Sequence, residues 1–244
     1  MDYKNLCEKI YRTWRNDPKK FSDFDSDFNM FSLPEPYFPL VEGNNQLVVL
    51  NNNPGDVLSF QYHTYILEHF DADVRYNDVA CWLMERYTSK ETIISVSAKA
   101  RNWKIEKVAS ALGYDGVENV ETFFLHSSSF NKKKFLRNYI DNGIVVEYRN
   151  ALCSYLYDRP VVVVAAVGSG SNLSVEDVAG SPWLSYQASI VGLEFRKAKL
   201  TPVTTRGDKI TSGIIRQGKK VLICNMGSNN IPVDAPAVLA GVKT

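Results

Sequence analysis

Three consecutive asparagines stand at the end of an apolar run, and their side chains could bind or orient a polar ligand. Residues 47–50 read LVVL, which is typical of a strand covered on both faces, and residues 51–55 read NNNPG. A Pro-Gly pair favours a type II turn. In open α/β sheets, ligand crevices form at the carboxyl ends of such strands. Asparagine is also a common turn residue, but three in succession exceed what a turn needs, so the segment predicts a polar site.

Three further apolar runs also end in polar loops of small residues. They occupy residues 120–125, 161–167 and 220–224, and the loops that follow read HSSS, GSGSN and NMGSNN. If these strands and the first one are parallel neighbours, all four loops meet at one edge of a sheet and form one site. Such a site would offer amides, hydroxyls and one imidazole.

The sequence predicts no cofactor and no metal at this site. The four loops contain no cluster of carboxylates. The chain has neither GxGxxG at a strand–helix turn nor GxxxxGK[ST], which are signatures of dinucleotide and P-loop phosphate binding. It also has no GxSxG nucleophile elbow.

Apolar periodicity along the chain indicates alternating helices and strands. We expect helices over residues 3–16, 57–70, 77–87, 102–112, 149–157 and 208–217, a basic helix that starts at Asn131, and strands over residues 47–50, 120–125, 161–167, 194–203 and 220–224. Residues 23–40 are expected either to pack across the sheet edge or to line the crevice. The alternation predicts one α/β domain over residues 1–244, a three-layer α/β/α arrangement with a central, mainly parallel sheet. Residues 1–40 would form an N-terminal helix and an irregular extension.

The overall composition narrows the class of partner and the compartment. The 244 residues carry a formal net charge of +1, so no global attraction to nucleic acid or to a membrane surface is expected. No apolar run is long enough to span a bilayer, and the N-terminus lacks the apolar core of a signal peptide. The four cysteines lie far apart, as is typical of thiols in a reducing cytoplasm; they are Cys7, Cys81, Cys153 and Cys224. The sequence thus predicts a cytoplasmic protein without a membrane partner and leaves its oligomeric state open.

The turn at residues 53–55 (Asn-Pro-Gly) resembles the first active-site motif of the uracil-DNA glycosylase superfamily, and is most similar to its mismatch-specific branch. In that branch the turn holds the residue that positions the attacking water. The order of elements over residues 33–232 is also similar: a strand with the motif, helices, a second and a third strand, and a last strand with a second motif. Residues 225–228 (NMGS) take the place of the family's His-Pro-Ser or Asn-Pro-Ser, with Met-Gly where the family has proline.

The resemblance implies a DNA base-excision glycosylase, a repair hydrolase that cleaves the N-glycosidic bond of a flipped, uracil-like base. Such an enzyme flips the nucleotide out, stacks the base on an aromatic ring, binds its edge and presents water to the sugar C1′. The implied catalytic candidates are Asn53, Asp56 and Asn225. The implied substrate-binding candidates are Phe60, His126, Ser127, Gly227 and Ser228.

Several of these residues have structural alternatives. Asn53 can orient water, but a neutral amide is not a strong base. Asp56 either takes the proton of the water or caps the following helix. Phe60 is either the stacking ring or a core residue. His126 stands where several branches have an asparagine that reads the base edge; it either binds the base or a phosphate, or is a satisfied polar residue at a strand end.

One concentrated basic run follows the second predicted strand. It consists of Lys132, Lys133, Lys134 and Arg137. Such a run is often only the solvated face of a helix, but at the edge of a site it can contact a nucleic-acid backbone. DNA or a nucleotide is therefore the expected partner.

Two other functions are compatible with the same residues. The first is a non-catalytic α/β module that binds a nucleotide or a nucleic acid in the same crevice. The second is a small-molecule hydrolase with a serine nucleophile among residues 127–129, although no second histidine and no obvious triad acid accompany His126.

Overall fold

Helices and strands alternate along the chain in the computed structural model, which describes residues 1–54, 59–88, 96–127, 129–157, 159–167, 180–193, 199–206, 209–216 and 220–225. The helices are α1 (Tyr3–Asn16), a 3-10 helix (Pro18–Phe24), α2 (Ser59–His69), α3 (Tyr76–Thr88), α4 (Val96–Ala111), α5 (Lys132–Asn138), α6 (Gly143–Tyr157) and α7 (Pro182–Ile190). The strands are β1 (Tyr37–Val41), β2 (Gln46–Asn51), β3 (Gly116–Glu121), β4 (Val161–Val167), β5 (Lys199–Arg206), β6 (Lys209–Arg216) and β7 (Lys220–Asn225). The fold is therefore mixed α/β, as predicted.

The strands form one seven-stranded sheet in the order β1-β3-β2-β4-β7-β6-β5. Its four central strands, β3, β2, β4 and β7, are parallel neighbours, as the hypothesis of a shared edge requires. The outer strands are antiparallel, with β1 on one side and β6 and β5 on the other. In register, Leu50 pairs with Val164, and Val164 pairs with Ile223. The carboxyl ends of β2, β4 and β7 therefore lie at the same edge of the sheet.

Both faces of the central strands are buried, which explains why their apolar runs show no alternation. One face carries Val48, Leu50, Val120, Val162 and Val164, packed with buried side chains of α1, α3, α6 and α7. The other face carries Leu47, Val49, Val117, Val161 and Val163, packed with Ile105, Val108 and Ala109 of α4. Successive residues of a strand point to opposite faces, so each central strand contributes to both clusters.

The N-terminal segment is anchored to the first of these faces. The side chain of Asp2 caps α1 by accepting a hydrogen bond from the Asn5 amide at 2.9 Å. Beyond α1, Phe21, Phe24 and Phe28 are buried, and the Phe24 ring lies 5.2 Å from that of Phe123. The irregular stretch is thus packed against the core, which was one of the two expectations for it.

The second predicted strand is displaced towards the N-terminus. It was predicted over residues 120–125, but β3 covers Gly116–Glu121. Its partner β2 ends at Asn51, which pairs with Glu121, so the ladder has no further strand to follow. The Phe123 amide instead donates to the Asn52 carbonyl at 3.1 Å. The segment that follows this strand therefore begins at Thr122 and continues with buried apolar residues before the polar loop.

Several other elements differ from their predictions. Strand β1 lies in a stretch that was expected to be irregular. The strand predicted over residues 194–203 is β5, which covers Lys199–Arg206, and residues 194–198 lie outside the described residues. The helix predicted over residues 208–217 is wrong, because Lys209–Arg216 forms β6 between β5 and β7. This segment is rich in β-branched residues, and two flanking strands favour the extended form. The helix predicted over residues 149–157 begins earlier, at Gly143, and α7 was not predicted. None of the helices within the described ranges is both long and apolar enough to cross a membrane.

Candidate functional site

Two of the four polar loops are joined by hydrogen bonds at the carboxyl edge of the sheet. The amide of Ser127 donates to the Pro54 carbonyl at 3.4 Å, and Asn53 Nδ2 donates to the Ser127 carbonyl at 3.3 Å. The loop after β2 and the loop after β3 are therefore one structural unit, and Asn53 lies at their junction.

The orientation of the Asn53 carboxamide is fixed by three backbone carbonyls. Its Nδ2 lies 2.7 Å from the Pro54 oxygen, 3.3 Å from that of Ser127 and 3.5 Å from that of Leu125. A carbonyl oxygen only accepts hydrogen bonds, so the amide nitrogen must face this group. The Oδ1 atom, which is an acceptor, consequently points away from the three carbonyls. The half-buried side chain can thus present an oriented acceptor to a water molecule.

Helix α7 holds the preceding asparagines in place. Trp183 Nε1 donates to Asn52 Oδ1 at 2.8 Å. Gln187 Nε2 donates to the Asn51 carbonyl at 3.3 Å and to Thr122 Oγ1 at 3.0 Å. Trp183 and Gln187 are four residues apart and therefore share one helix face. Neither residue was predicted from the sequence. The only indication of them there is that a tryptophan and a glutamine are four residues apart.

A buried polar cluster lies on the opposite face of the sheet, at the same edge. Asn51 Nδ2 is 3.3 Å from Asn119 Oδ1 and 3.2 Å from Glu121 Oε1. The register pairs Asn51 with Glu121 and Val49 with Asn119, so the three polar side chains share one face. Asn119 is fully buried, and its Nδ2 has no hydrogen-bond partner within the described part of the chain. Polar residues in the β3 sequence GVENVE were the signal for this cluster, which was not predicted.

The structure places His126 beneath the surface. Its side chain is 4% exposed, and Nε2 lies 3.3 Å from Glu35 Oε1. Its carbonyl accepts a hydrogen bond from the Asn29 amide at 2.9 Å. Because β3 ends at Glu121, His126 is not at the strand end where it was expected. Asn119 and Glu121 occupy that end instead, and Ser127 next to His126 is half-buried.

The basic run divides into two parts with different contacts. Asn131 caps α5 by accepting from the Lys134 amide at 2.9 Å, as the predicted helix start requires. Lys134 Nζ is 2.6 Å from Asp27 Oδ1. Lys132 and Lys133 instead line a cavity of about 460 Å³ beside Trp183, and burial lowers the pKa of Lys132. Arg137 Nε donates to Asn138 Oδ1 at 3.1 Å on the exposed side of the helix.

The other predicted site residues lie partly or wholly outside the described residues. Asp56, Gly227 and Ser228 are outside them. Phe60 belongs to α2 and Asn225 is the last residue of β7, but the side chains of both are not described. Since β4 separates β2 from β7, the backbone of Asn225 is roughly 10 Å from that of β2 across two strand spacings.

The described residues contain no group of three or more His, Cys, Asp or Glu side chains arranged to hold a metal ion. In comparisons with known proteins, no family model, no curated protein and no solved structure matches the chain.

Proposed function

We propose that the chain is a monofunctional glycosylase that hydrolyses the N-glycosidic bond of a flipped, uracil-like base in DNA. The observation that carries the proposal is the Asn53 carboxamide, whose Nδ2 is held by three carbonyls and whose Oδ1 is thereby oriented as an acceptor. This is the arrangement that a water-positioning residue needs, and the residue belongs to the Asn-Pro-Gly turn that resembles the family motif.

The proposed reaction needs little acid–base chemistry from the protein. Asn53 Oδ1 accepts a hydrogen bond from the attacking water and directs its oxygen at the sugar C1′. Since an amide is not a strong base, Asp56 is proposed to take the proton of that water. Asn225, with Gly227 and Ser228 after it, is proposed to contact the sugar or its phosphate from the end of β7, and Phe60 to stack on the base.

The buried polar cluster supports recognition of a base edge. A uracil-like edge offers carbonyl oxygens as acceptors and one N–H donor. Within the described residues Asn119 Nδ2 is a donor without a partner, and Asn51 Nδ2 beside it donates to Asn119 Oδ1 and Glu121 Oε1. A buried donor without a partner costs about 1–3 kcal/mol. Binding a base carbonyl would satisfy it, so the cluster is proposed to read the base in place of His126.

The finer architecture and the compartment are part of the same proposal. Helices pack on both faces of the sheet, which supports a three-layer α/β/α arrangement. The free thiols Cys7, Cys81 and Cys153 are compatible with a reducing cytoplasm. DNA is the proposed partner, bound along the carboxyl edge.

The test is single-turnover release of base from oligonucleotides that carry uracil, hypoxanthine or a mismatched base, read by heat–alkali cleavage. We expect wild-type protein to release at least one of these bases and Asn53→Ala to abolish most of that release. The matched control is Asn44→Ala, which removes an exposed asparagine near the start of β2, at the opposite edge of the sheet. Absence of release from every substrate by well-folded wild-type protein would refute the proposal.

A non-catalytic nucleic-acid-binding module is the second candidate. It is favoured by the structural role of Asn53, whose amide joins the loops at Pro54 and Ser127. In such a module Asn53→Ala would weaken affinity for the oligonucleotide, and no variant would release a base.

A further inference from the structure

A cavity of about 460 Å³ opens between the start of α5 and the start of α7. Its walls combine aromatic rings, ammonium groups and small polar side chains, which belong to Phe130, Trp183, Lys132, Lys133, Asn131 and Ser181. Small-ligand pockets typically measure about 300–1,000 Å³, so the volume suits a single nucleotide.

The aromatic wall is held rigidly. Phe130 and Trp183 meet edge to face with ring centroids 5.1 Å apart. Trp183 is buried and its Nε1 is hydrogen-bonded to Asn52. Phe130 is only half-buried, so part of its ring is open to the cavity. Bases stack on such rings with little sequence preference, because every base has a π-face.

The cavity also carries positive charge. Lys132 and Lys133 both line it, whereas Lys134 pairs with Asp27 elsewhere on α5. Burial lowers the pKa of Lys132. A bound phosphate would oppose that shift, because a nearby opposite charge favours the charged form of the lysine.

The position of the cavity relates it to the proposed reaction. Trp183 forms one of its walls and contacts Asn52, which precedes Asn53 in the chain. A nucleotide in the cavity would therefore lie close to the nucleotide that is attacked at Asn53, as adjacent nucleotides of one strand do.

We propose that this cavity binds a neighbouring nucleotide of the substrate strand, with its base against Phe130 and its phosphate at Lys132 and Lys133. The inference rests on the proposed function, because the strand it holds is the one whose base leaves at Asn53. It narrows the substrate class to a polynucleotide with an unpaired nucleotide beside the target, as opposed to a free nucleoside.

The test is the salt dependence of binding to a fluorescent single-stranded oligodeoxynucleotide with one tetrahydrofuran abasic analogue. Lys132→Ala/Lys133→Ala should lower the slope of log Kd against log salt by about 0.7, the value for one lost phosphate contact on a single strand. Phe130→Leu should weaken binding about 10-fold by loss of one stacked base. The charge-matched control is Lys104→Ala/Lys107→Ala on α4, which packs on the other face of the sheet, and it should leave the slope unchanged.

The inference would be overturned if the two double variants had the same slope of log Kd against log salt, or if Phe130→Leu bound the oligodeoxynucleotide as tightly as wild-type protein. Base release measured on the same proteins separates this outcome from failure of the proposed function. Release by wild-type protein with unaltered binding in the cavity variants would refute the cavity alone. Binding that depends on the cavity residues, with no release by wild-type protein, would refute hydrolysis and support the cavity as a nucleotide site. Thermal unfolding of each variant confirms that it is folded.

Discussion

At the scale of single residues, Asn119 is a buried side chain with an unsatisfied polar atom at the carboxyl edge of the sheet. It is fully buried, its Oδ1 accepts from Asn51, and its Nδ2 lacks a partner within the described ranges. Buried polar groups in native proteins are nearly always paired. This unpaired donor at the carboxyl edge of a parallel sheet is the observation on which the proposed recognition of a base edge rests.

If Asn119 recognises the base, Asn119→Leu should impair base release without a large loss of stability. The substitution has a similar size and removes both the unpaired donor and one hydrogen bond, so the free energy of unfolding in urea should stay within about 1 kcal/mol of the wild-type value or rise. Base release should fall sharply, because the base carbonyl loses the hydrogen bond proposed from Asn119 Nδ2. A large loss of stability would instead show that Asn119 is a structural residue.

Residue identity alone was enough to single out Asn53 but not its partners. The Asn-Pro-Gly turn is contiguous in sequence, so the pattern is readable without a structure. Asn119, Trp183 and Gln187 are far from it in the chain and reach the residues just before it only through strand register and the packing of α7. A sequence does not encode such distances locally, which is why these residues were missed.

At the scale of elements, the carboxylate of Asp27 joins the turn after the 3-10 helix to α5. Asp27 accepts hydrogen bonds from Lys134 at 2.6 Å and from Tyr139 at 2.5 Å. Burial by itself would raise the pKa of Asp27, but the hydrogen bonds from Lys134, Tyr139 and Ser26 outweigh it and lower the pKa. Because α5 also supplies Lys132 and Lys133, this contact helps to position one side of the cavity.

The lowered pKa makes this contact sensitive to acid. A carboxyl group whose pKa is lower in the folded than in the unfolded protein stabilises the fold above the unfolded value of about 3.9, and this stabilisation is lost as the pH falls through the folded value. Asp27→Asn should therefore cost about 1 kcal/mol at neutral pH and much less in strong acid. Urea unfolding of both proteins across this pH range is the measurement. A difference in stability that does not change with pH would contradict it.

Helices and strands were predicted correctly where the spacing of apolar residues fitted only one of the two, and incorrectly where it fitted both. Helix α1 has a clear cap and apolar side chains at helical spacing, and it forms as predicted. Residues 208–217 place apolar side chains at spacings that suit a helix, yet pairing with two neighbouring strands makes them β6. Pairing between distant segments decided the outcome there, and such pairing is not visible in a local pattern.

At the scale of the whole molecule, the order of the strands brings the site together. Four parallel neighbours place the ends of β3, β2, β4 and β7 along one edge. The sequence predicted this edge from four continuous apolar runs, each typical of a strand covered on both faces and each followed by a polar loop. The antiparallel strands outside it do not contribute to the described site.

The most direct test of the account is to measure affinity and rate on one substrate for wild-type protein and Asn53→Ala. If Asn53 positions water, the single-turnover rate of base release should fall about 100-fold, corresponding to about 3 kcal/mol by analogy with oxyanion-type donors. The Kd for the same oligonucleotide should change by less than about 3-fold, because the residue contacts water more than DNA. A Kd that weakens while the rate of release is unchanged, or a wild-type protein that releases no base, would contradict the account.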